Sequence, residues 1–271
     1  MTASPHPFDA AVALESGPDG RLHGTTHPLW ANMVGPYGGI VAATLLQAAV
    51  RDPARLGEPV ALTVNYAAPV ADGPFVVDAR AVRTNRSTQH WTMTLAQDDG
   101  VAATATAVFA LRRDTWAAAE RTMPDAPPAD GVPPHGPRAS VVWSARYDMR
   151  FVAGEWPDLR ADVELPDSGT ALWIRDEPPR PLDAPSLAAI CDAFYPRVFR
   201  RRQRFTPAGT VSLTVQFHAD AAELAAQGTR PVFALARGLR FSKGFHDQRA
   251  EVWGDDGRLL ATSSQLVYYR D

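Results

Sequence analysis

Two polar residues in the second half of this chain could do chemistry. Asp192 is flanked by Ile190, Cys191, Ala193 and Phe194, and Gln265 falls in an alternating stretch from Leu259 to Tyr269. A carboxylate held among such neighbours can serve as an acid or base; a glutamine amide cannot, but can both donate and accept hydrogen bonds. Other chemistries lack their residues. His6, His23 and His27 do not recur at metal-ligand spacing and Cys191, the single cysteine, has no companion, so no metal is expected. His218 and His246 share no motif with an acid and a serine, and a structural role is expected for both. Gly-x-Ser-x-Gly is absent, which argues against a serine nucleophile on an α/β-hydrolase scaffold. No phosphate loop or dinucleotide fingerprint occurs, so no cofactor is expected either.

The elements that must position these groups come in two similar sets. VALTVNYAA at 60–68 matches VSLTVQFHA at 211–219 with an offset of 151 residues. QDDGVAATATAVF at 97–109 matches GDDGRLLATSSQLV at 254–267 with an offset of 157 to 158. Two matches in the same order are what a duplicated unit with small loop insertions leaves behind. In the first copy, Pro36-Tyr37-Gly38-Gly39 opens IVAATLLQAAVRD, where Ile40, Ala43, Leu46, Ala49 and Val50 recur at helical spacing until Pro53. Strands are predicted at 60–68, 75–84, 89–97 and 101–112, with turns at Asp72-Gly73-Pro74, Asn85-Arg86-Ser87 and Asp98-Asp99-Gly100. In the second copy, Asp183-Ala184-Pro185-Ser186 caps a helix over SLAAICDAFYPRVF, and strands are predicted at 208–219, 231–242, 247–254 and 258–269.

Between the copies, 117–138 is dense in Pro, Ala and Gly without any period and reads as an extended linker. The chain then divides into 1–116, the linker 117–138, and 139–271 with the presumed site. A half of this size buries its one helix only if a twisted antiparallel sheet curls around it. The expected class is therefore α+β, a double hot-dog: two tandem repeats, each a curved antiparallel sheet wrapped around a central helix, joined edge to edge.

Composition bounds what such a molecule does. Of 271 residues, 45% are apolar and 21% charged, enough for a sizeable core and against disorder. Net charge is −3 and Lys243 is the only lysine, which argues against a nucleic-acid-binding face. No apolar run approaches the ~20 residues of a membrane span. The start MTASPHPFDAAV lacks the basic and apolar regions of a signal peptide, so a soluble, cytoplasmic protein is expected.

The order of these motifs resembles the type II acyl-CoA thioesterases, the double hot-dog family that includes bacterial thioesterase II. The resemblance is carried by Tyr37-Gly38-Gly39 before an alanine-rich helix, Trp173-Ile174-Arg175, the Asp192 helix, the Thr210 to His218 strand and Ala261-Thr262-Ser263-Ser264-Gln265, and spans about residue 20 to 270. It implies hydrolysis of an acyl-CoA by a water held between Asp192, Thr210 and Gln265. The segment FRRRQRFTPAG is shorter than the family pattern, so Ser212 and Thr214, which share a face with Thr210 in an alternating strand, remain alternatives. Backbone N–H groups at Gly38 and Gly39, or at the turn near the second helix, are the expected oxyanion donors. Tyr37, Leu45, Phe194 and Val198 are expected to line an acyl tunnel. The cluster Arg197, Arg200, Arg201, Arg202 and Arg204 reads either as a contact for coenzyme A phosphates or as a solvated helix end. The repeat lays Ala107 over Gln265, and the first helix carries no acid before Asp52, so one site per chain is expected, with the first half contributing walls. A hot-dog hydratase or dehydratase, which would need a paired Asp and His, and a silent acyl-binding protein are the competing readings. Homo-oligomerisation stays open.

Overall fold

The computed structural model describes residues 4–98, 100–138 and 140–270; Asp99 of the third predicted turn lies outside them. The chain opens with a short helix α1 (Pro7–Ala11) and a small hairpin, β1 (Glu15–Ser16) and β2 (Leu22–Thr25). The long helix α2 (Gly38–Val50) leads into β3 (Glu58–Tyr66), β4 (Pro74–Thr84), β5 (Thr88–Gln97) and β6 (Gly100–Ala110). The second half runs β7 (Tyr147–Ala153), β8 (Thr170–Asp176), α3 (Ala184–Ile190), α4 (Arg197–Arg202), β9 (Ala208–Phe217) and α5 (Ala221–Gln227). It ends with β10 (Val232–Arg237), β11 (Phe241–Ser242), β12 (Phe245–Trp253) and β13 (Leu259–Tyr269). No helix among the described residues is long and apolar enough to cross a membrane.

The thirteen strands among the described residues join one antiparallel sheet, in the order β1-β2-β4-β5-β6-β3-β9-β13-β12-β10-β8-β7, with β11 beside β12. Outward from the central seam, β3-β6-β5-β4 is repeated by β9-β13-β12-β10, so the duplication read from the sequence has a topological counterpart. At the seam Thr63 pairs with Thr214, and Leu62 and Val64 face Val215 and Leu213. Residues 63 and 214 are those the 151-residue repeat equates, so the axis relating the copies passes between them. Their hydroxyls lie 3.0 Å apart.

This sheet is the double hot-dog expected. It wraps α2 so completely that Ala42, Ala43, Leu45, Leu46 and Ala49 have no exposed surface, because α3 packs against α2 on the side the sheet leaves open. A helix apolar on nearly every side can sit only in such a place. The 117–138 segment is not detached from the fold. Met123, Ala126, Ala129 and Val132 lie on Trp173, Phe233 and Trp253 on the outer face of the second half, and Trp173 Nε1 donates to Pro127 O at 2.9 Å.

Three local expectations are corrected. The helix predicted over 186–199 stops at Ile190 and resumes as α4, because Pro196 has no N–H for an intrahelical bond and disfavours helical backbone at Tyr195. The strand predicted over 231–242 breaks after Arg237, where the Asp247 carboxylate accepts the Leu239 and Arg240 amides, each at 2.9 Å. Finally, β9 does not alternate throughout: Leu266 faces Ser212 but Val267 faces Thr210, which leaves Val211 as a bulge.

Arg112, just past β6, fastens one half to the other. Its guanidinium donates to Phe217 O at 2.7 Å, His218 O at 3.1 Å and Ala219 O at 3.2 Å. Arg112→Ala strips donors from three carbonyls at the end of β9 and is expected to lower the unfolding free energy by about 1–3 kcal/mol, read as a lower urea midpoint at unchanged slope.

Candidate active site

Asp192 comes to its place by the ending of a helix. After Ile190 the last turn tightens, with Asp192 N–H donating to Ala189 O at 3.0 Å, and the side chain turns toward the start of α2. Helix α2 enters there because Tyr37 donates its phenol to Ala189 O at 2.5 Å and stacks on Trp143 with ring centroids 4.2 Å apart. The positive end of one helix thus meets the last turn of the other.

The carboxylate is held on two sides. Gln265 Nε2 donates to Asp192 Oδ1 at 2.9 Å, and the Gly39 N–H also favours the charged form of that carboxylate. Thr210 Oγ1 in turn donates to Gln265 Oε1 at 3.2 Å. The three residues therefore form one directed chain, hydroxyl to amide to carboxylate, and the Thr210 oxygen keeps its lone pairs for a further donor. Burial pushes the Asp192 carboxyl up to about 7, against the opposing pull of the Gln265 and Gly39 hydrogen bonds. An acid poised there can exchange a proton near neutrality.

The bulge at Val211 decides which hydroxyl takes part. It rotates Thr210 onto the inward face shared by Leu213 and Val215, opposite buried Val267 and beside Gln265. Ser212 and Thr214 face the other way, and Thr214 is spent on Thr63. The expectation that all three share a side is corrected, and neither alternative reaches the carboxylate.

Gly38 is required by closeness rather than by backbone angle: a Cβ there would stand 2.8 Å from Asp192 Oδ2 and 3.5 Å from the Tyr66 ring. Tyr66 donates to Gly38 O at 2.8 Å, and burial followed by the Asp192 charge keeps its phenol well above the usual range, hence protonated. Tyr66 was not singled out in the sequence, although the repeat carried a signal. It stands where the second copy has Phe217, so its hydroxyl exists in one half only.

A cavity of about 510 Å³ opens onto these groups, within the range of small-molecule sites. Tyr37, Gly38 and Tyr66 reach it from the first half, and Asp192, Phe194, Thr210 and Gln265 from the second. Of the four predicted tunnel residues, Tyr37 and Phe194 line it, whereas Leu45 and Val198 are buried away from it in the core. The arginine cluster divides as well. Arg197 has no exposed surface and cannot meet a phosphate outside; Arg201 donates to Glu164 at 2.7 Å; Arg200 and Arg201 are half-buried on α4 beyond the lining residue Phe199. His246, packed between Phe241 and Tyr269, is held down to about 4 by burial and is neutral, in keeping with a structural role.

The sheet and its two halves match known proteins. Residues 26–110 match the family model of the acyl-CoA thioesterase N-terminal domain and residues 121–269 that of the C-terminal domain. The chain belongs to the acyl-CoA thioesterase family. A conserved protein of unknown function with a hot dog fold from Alicyclobacillus acidocaldarius is 49% identical over 99% of both chains, with a TM-score of 0.92. A putative thioesterase II from Thermobifida fusca shares 20% identity over 99% of both chains at a TM-score of 0.82. A tesB protein from Mycobacterium avium subs paratuberculosis shares 19% over 98% of this chain and 100% of its own, at 0.79. At those last two identities the likeness is one of fold. A search of the curated proteins finds no match.

Two stability measurements check the site's packing and charge. Alanine normally stabilises a helix by about 1 kcal/mol over glycine, but Gly38→Ala is expected to destabilise by about 1–3 kcal/mol because its Cβ meets the carboxylate. For Asp192 the sign runs opposite to an ordinary acid. Its folded pKa of about 7 lies above the unfolded value, so the folded state binds the extra proton and stability is lost as pH rises from about 4 to 7. Asp192→Asn is therefore expected to gain melting temperature relative to the parent by about 3 °C or more between pH 5 and pH 8. A pH-independent difference would show an unperturbed carboxyl.

Proposed function

We propose that this chain hydrolyses an acyl-CoA thioester to the free acid and coenzyme A by direct attack of water. The observation that carries the reading is the Thr210–Gln265–Asp192 chain, with amide and acid buried, facing a cavity large enough for an acyl group, in a member of the acyl-CoA thioesterase family. A water that donates one hydrogen to Asp192 and the other to the Thr210 oxygen keeps its lone pairs free to meet a carbonyl carbon. As its oxygen bonds to that carbon, Asp192 takes its proton and the carbonyl electrons move onto oxygen. When the carbonyl re-forms, the thiolate of coenzyme A leaves and recovers the proton from Asp192. No covalent enzyme intermediate is needed.

The first turn of α2 leaves amides without intrahelical partners. Gly38 lines the cavity beside Asp192, so its N–H is the backbone group assigned to the developing oxyanion. Arg200 and Arg201 are assigned to the coenzyme A phosphates, with Arg201 leaving Glu164 to do so. The duplication is taken to have produced units 1–116 and 139–271 with 117–138 between them, working in the cytoplasm. An amide on the carboxylate, itself held by the Thr210 hydroxyl, favours hydrolysis over a silent binder, which has no use for a base poised near neutrality.

Release of free thiol from a series of acyl-CoAs tests this reading. The expected kcat/KM rises with pH and levels off above about 7, following ionisation of Asp192. Asp192→Asn should lower kcat by about 10³-fold or more, and Gln265→Ala and Thr210→Val by about 10–100-fold each. Tight acyl-CoA binding without turnover in the parent protein would instead identify a binding protein.

A further inference from the structure

Arg197 is a cation with no exposed surface, and no acid among the described residues pairs with it. It is satisfied by neutral acceptors. Nε donates to Gln248 Oε1 at 2.9 Å and Tyr195 O at 3.1 Å, and Nη1 donates to Ser168 O at 3.0 Å and Thr170 Oγ1 at 2.8 Å. Nη2 also reaches Tyr195 O. Holding Gln248 by its oxygen fixes the amide, so that its Nε2 is directed away from the guanidinium.

That nitrogen is buried and has no partner among the described residues, although Gln248 is only 2% exposed. Gln248 lines the same cavity as Asp192, Thr210 and Gln265, and lies directly across the sheet from Gln265 in the β12–β13 ladder. A residue kept only to satisfy Arg197 would do so better as glutamate, which offers the cation a charge and leaves no donor stranded. An amide whose oxygen is bound to a guanidinium is a stronger donor at nitrogen, and the fixed positive charge behind it favours negative charge on whatever accepts. Those are the properties of a group aimed at an oxyanion.

We propose that Gln248 Nε2 is a hydrogen-bond donor to the thioester carbonyl oxygen, oriented by Arg197, and that it stabilises the oxyanion formed when water adds. The proposal rests on the hydrolytic reading above. Gln248 gains and loses no proton: the carbonyl electrons collect on oxygen as the water oxygen bonds to carbon, Asp192 holds the proton, and both return as the thiolate leaves. Gln248 is then a catalytic residue and Arg197 a positioning residue.

The test measures kcat and KM on short, medium and long straight-chain acyl-CoAs for Gln248→Met, which keeps the volume without a donor, and Gln248→Glu, which keeps the acceptor for Arg197. Both are expected to lose about 10²–10³-fold in kcat at every chain length, with KM changed by less than about threefold. Arg197→Lys should lower kcat in the parent but add no loss in the Gln248→Met background. Full activity in Gln248→Glu would reduce Gln248 to a structural partner of Arg197. A rise in KM that depends on chain length would place the amide against the acyl chain, and either result overturns the proposal. If Gln248→Met fails to fold, Gln248→Glu decides alone. A parent protein that hydrolyses none of the acyl-CoAs overturns the hydrolytic reading along with this one, whereas an active parent with an active Gln248→Met overturns this one alone.

Discussion

The constraint on which the rest depends is the burial of one carboxylate. Asp192 is 8% exposed, and an acid in such a place must either be neutralised or be given donors. Here it receives an amide from the last strand and a backbone N–H from the opposite half of the molecule. These partners stop short of complete compensation, since burial still holds the carboxyl up to about 7. The shortfall leaves a group that can both take and return a proton near neutrality, where a fully compensated carboxylate would stay ionised.

The same constraint explains why the two copies are fused into one sheet. The acid, hydroxyl and amide belong to the second copy, while Gly38, Gly39 and Tyr66 belong to the first. Neither copy holds all of these groups. The β3–β9 ladder fixes their separation, and the Tyr37 phenol on Ala189 O fixes how closely α2 approaches the end of α3. In the first copy the position facing the core where Gln265 stands is Ala107, which pairs with Leu62 as Gln265 pairs with Leu213. That position has become plain packing.

Much of this was legible in the sequence because repeats and periods report burial. The 151-residue offset equates the two strands that the structure pairs at the seam, whereas the alternation from Leu259 to Tyr269 left the face of Gln265 open until the fold placed it inward. What the sequence left hidden depends on single residues that break a period. Pro196 halts a helix whose apolar pattern runs on, and the extra residue Val211 turns Thr210 inward while Ser212 and Thr214 turn out. Arg197 was indistinguishable from its charged neighbours on α4, because nothing in a run of arginines marks the one that the fold encloses. Gln248 alternates with His246 on the inner face of β12, a polar pair in a place that favours apolar residues, and the pattern was readable only once the strand's start at Phe245 was known.

The most direct test is a titration of the Asp192 carboxyl itself, followed by carbon NMR on protein labelled at aspartate and assigned by the loss of its signal in Asp192→Asn. The account predicts a midpoint near 7 in the parent protein, rising further in Gln265→Leu, where a hydrogen bond that favours the charged form is gone. A midpoint near 4, unmoved by the loss of Gln265, would mean a solvated or fully compensated acid and would contradict the account.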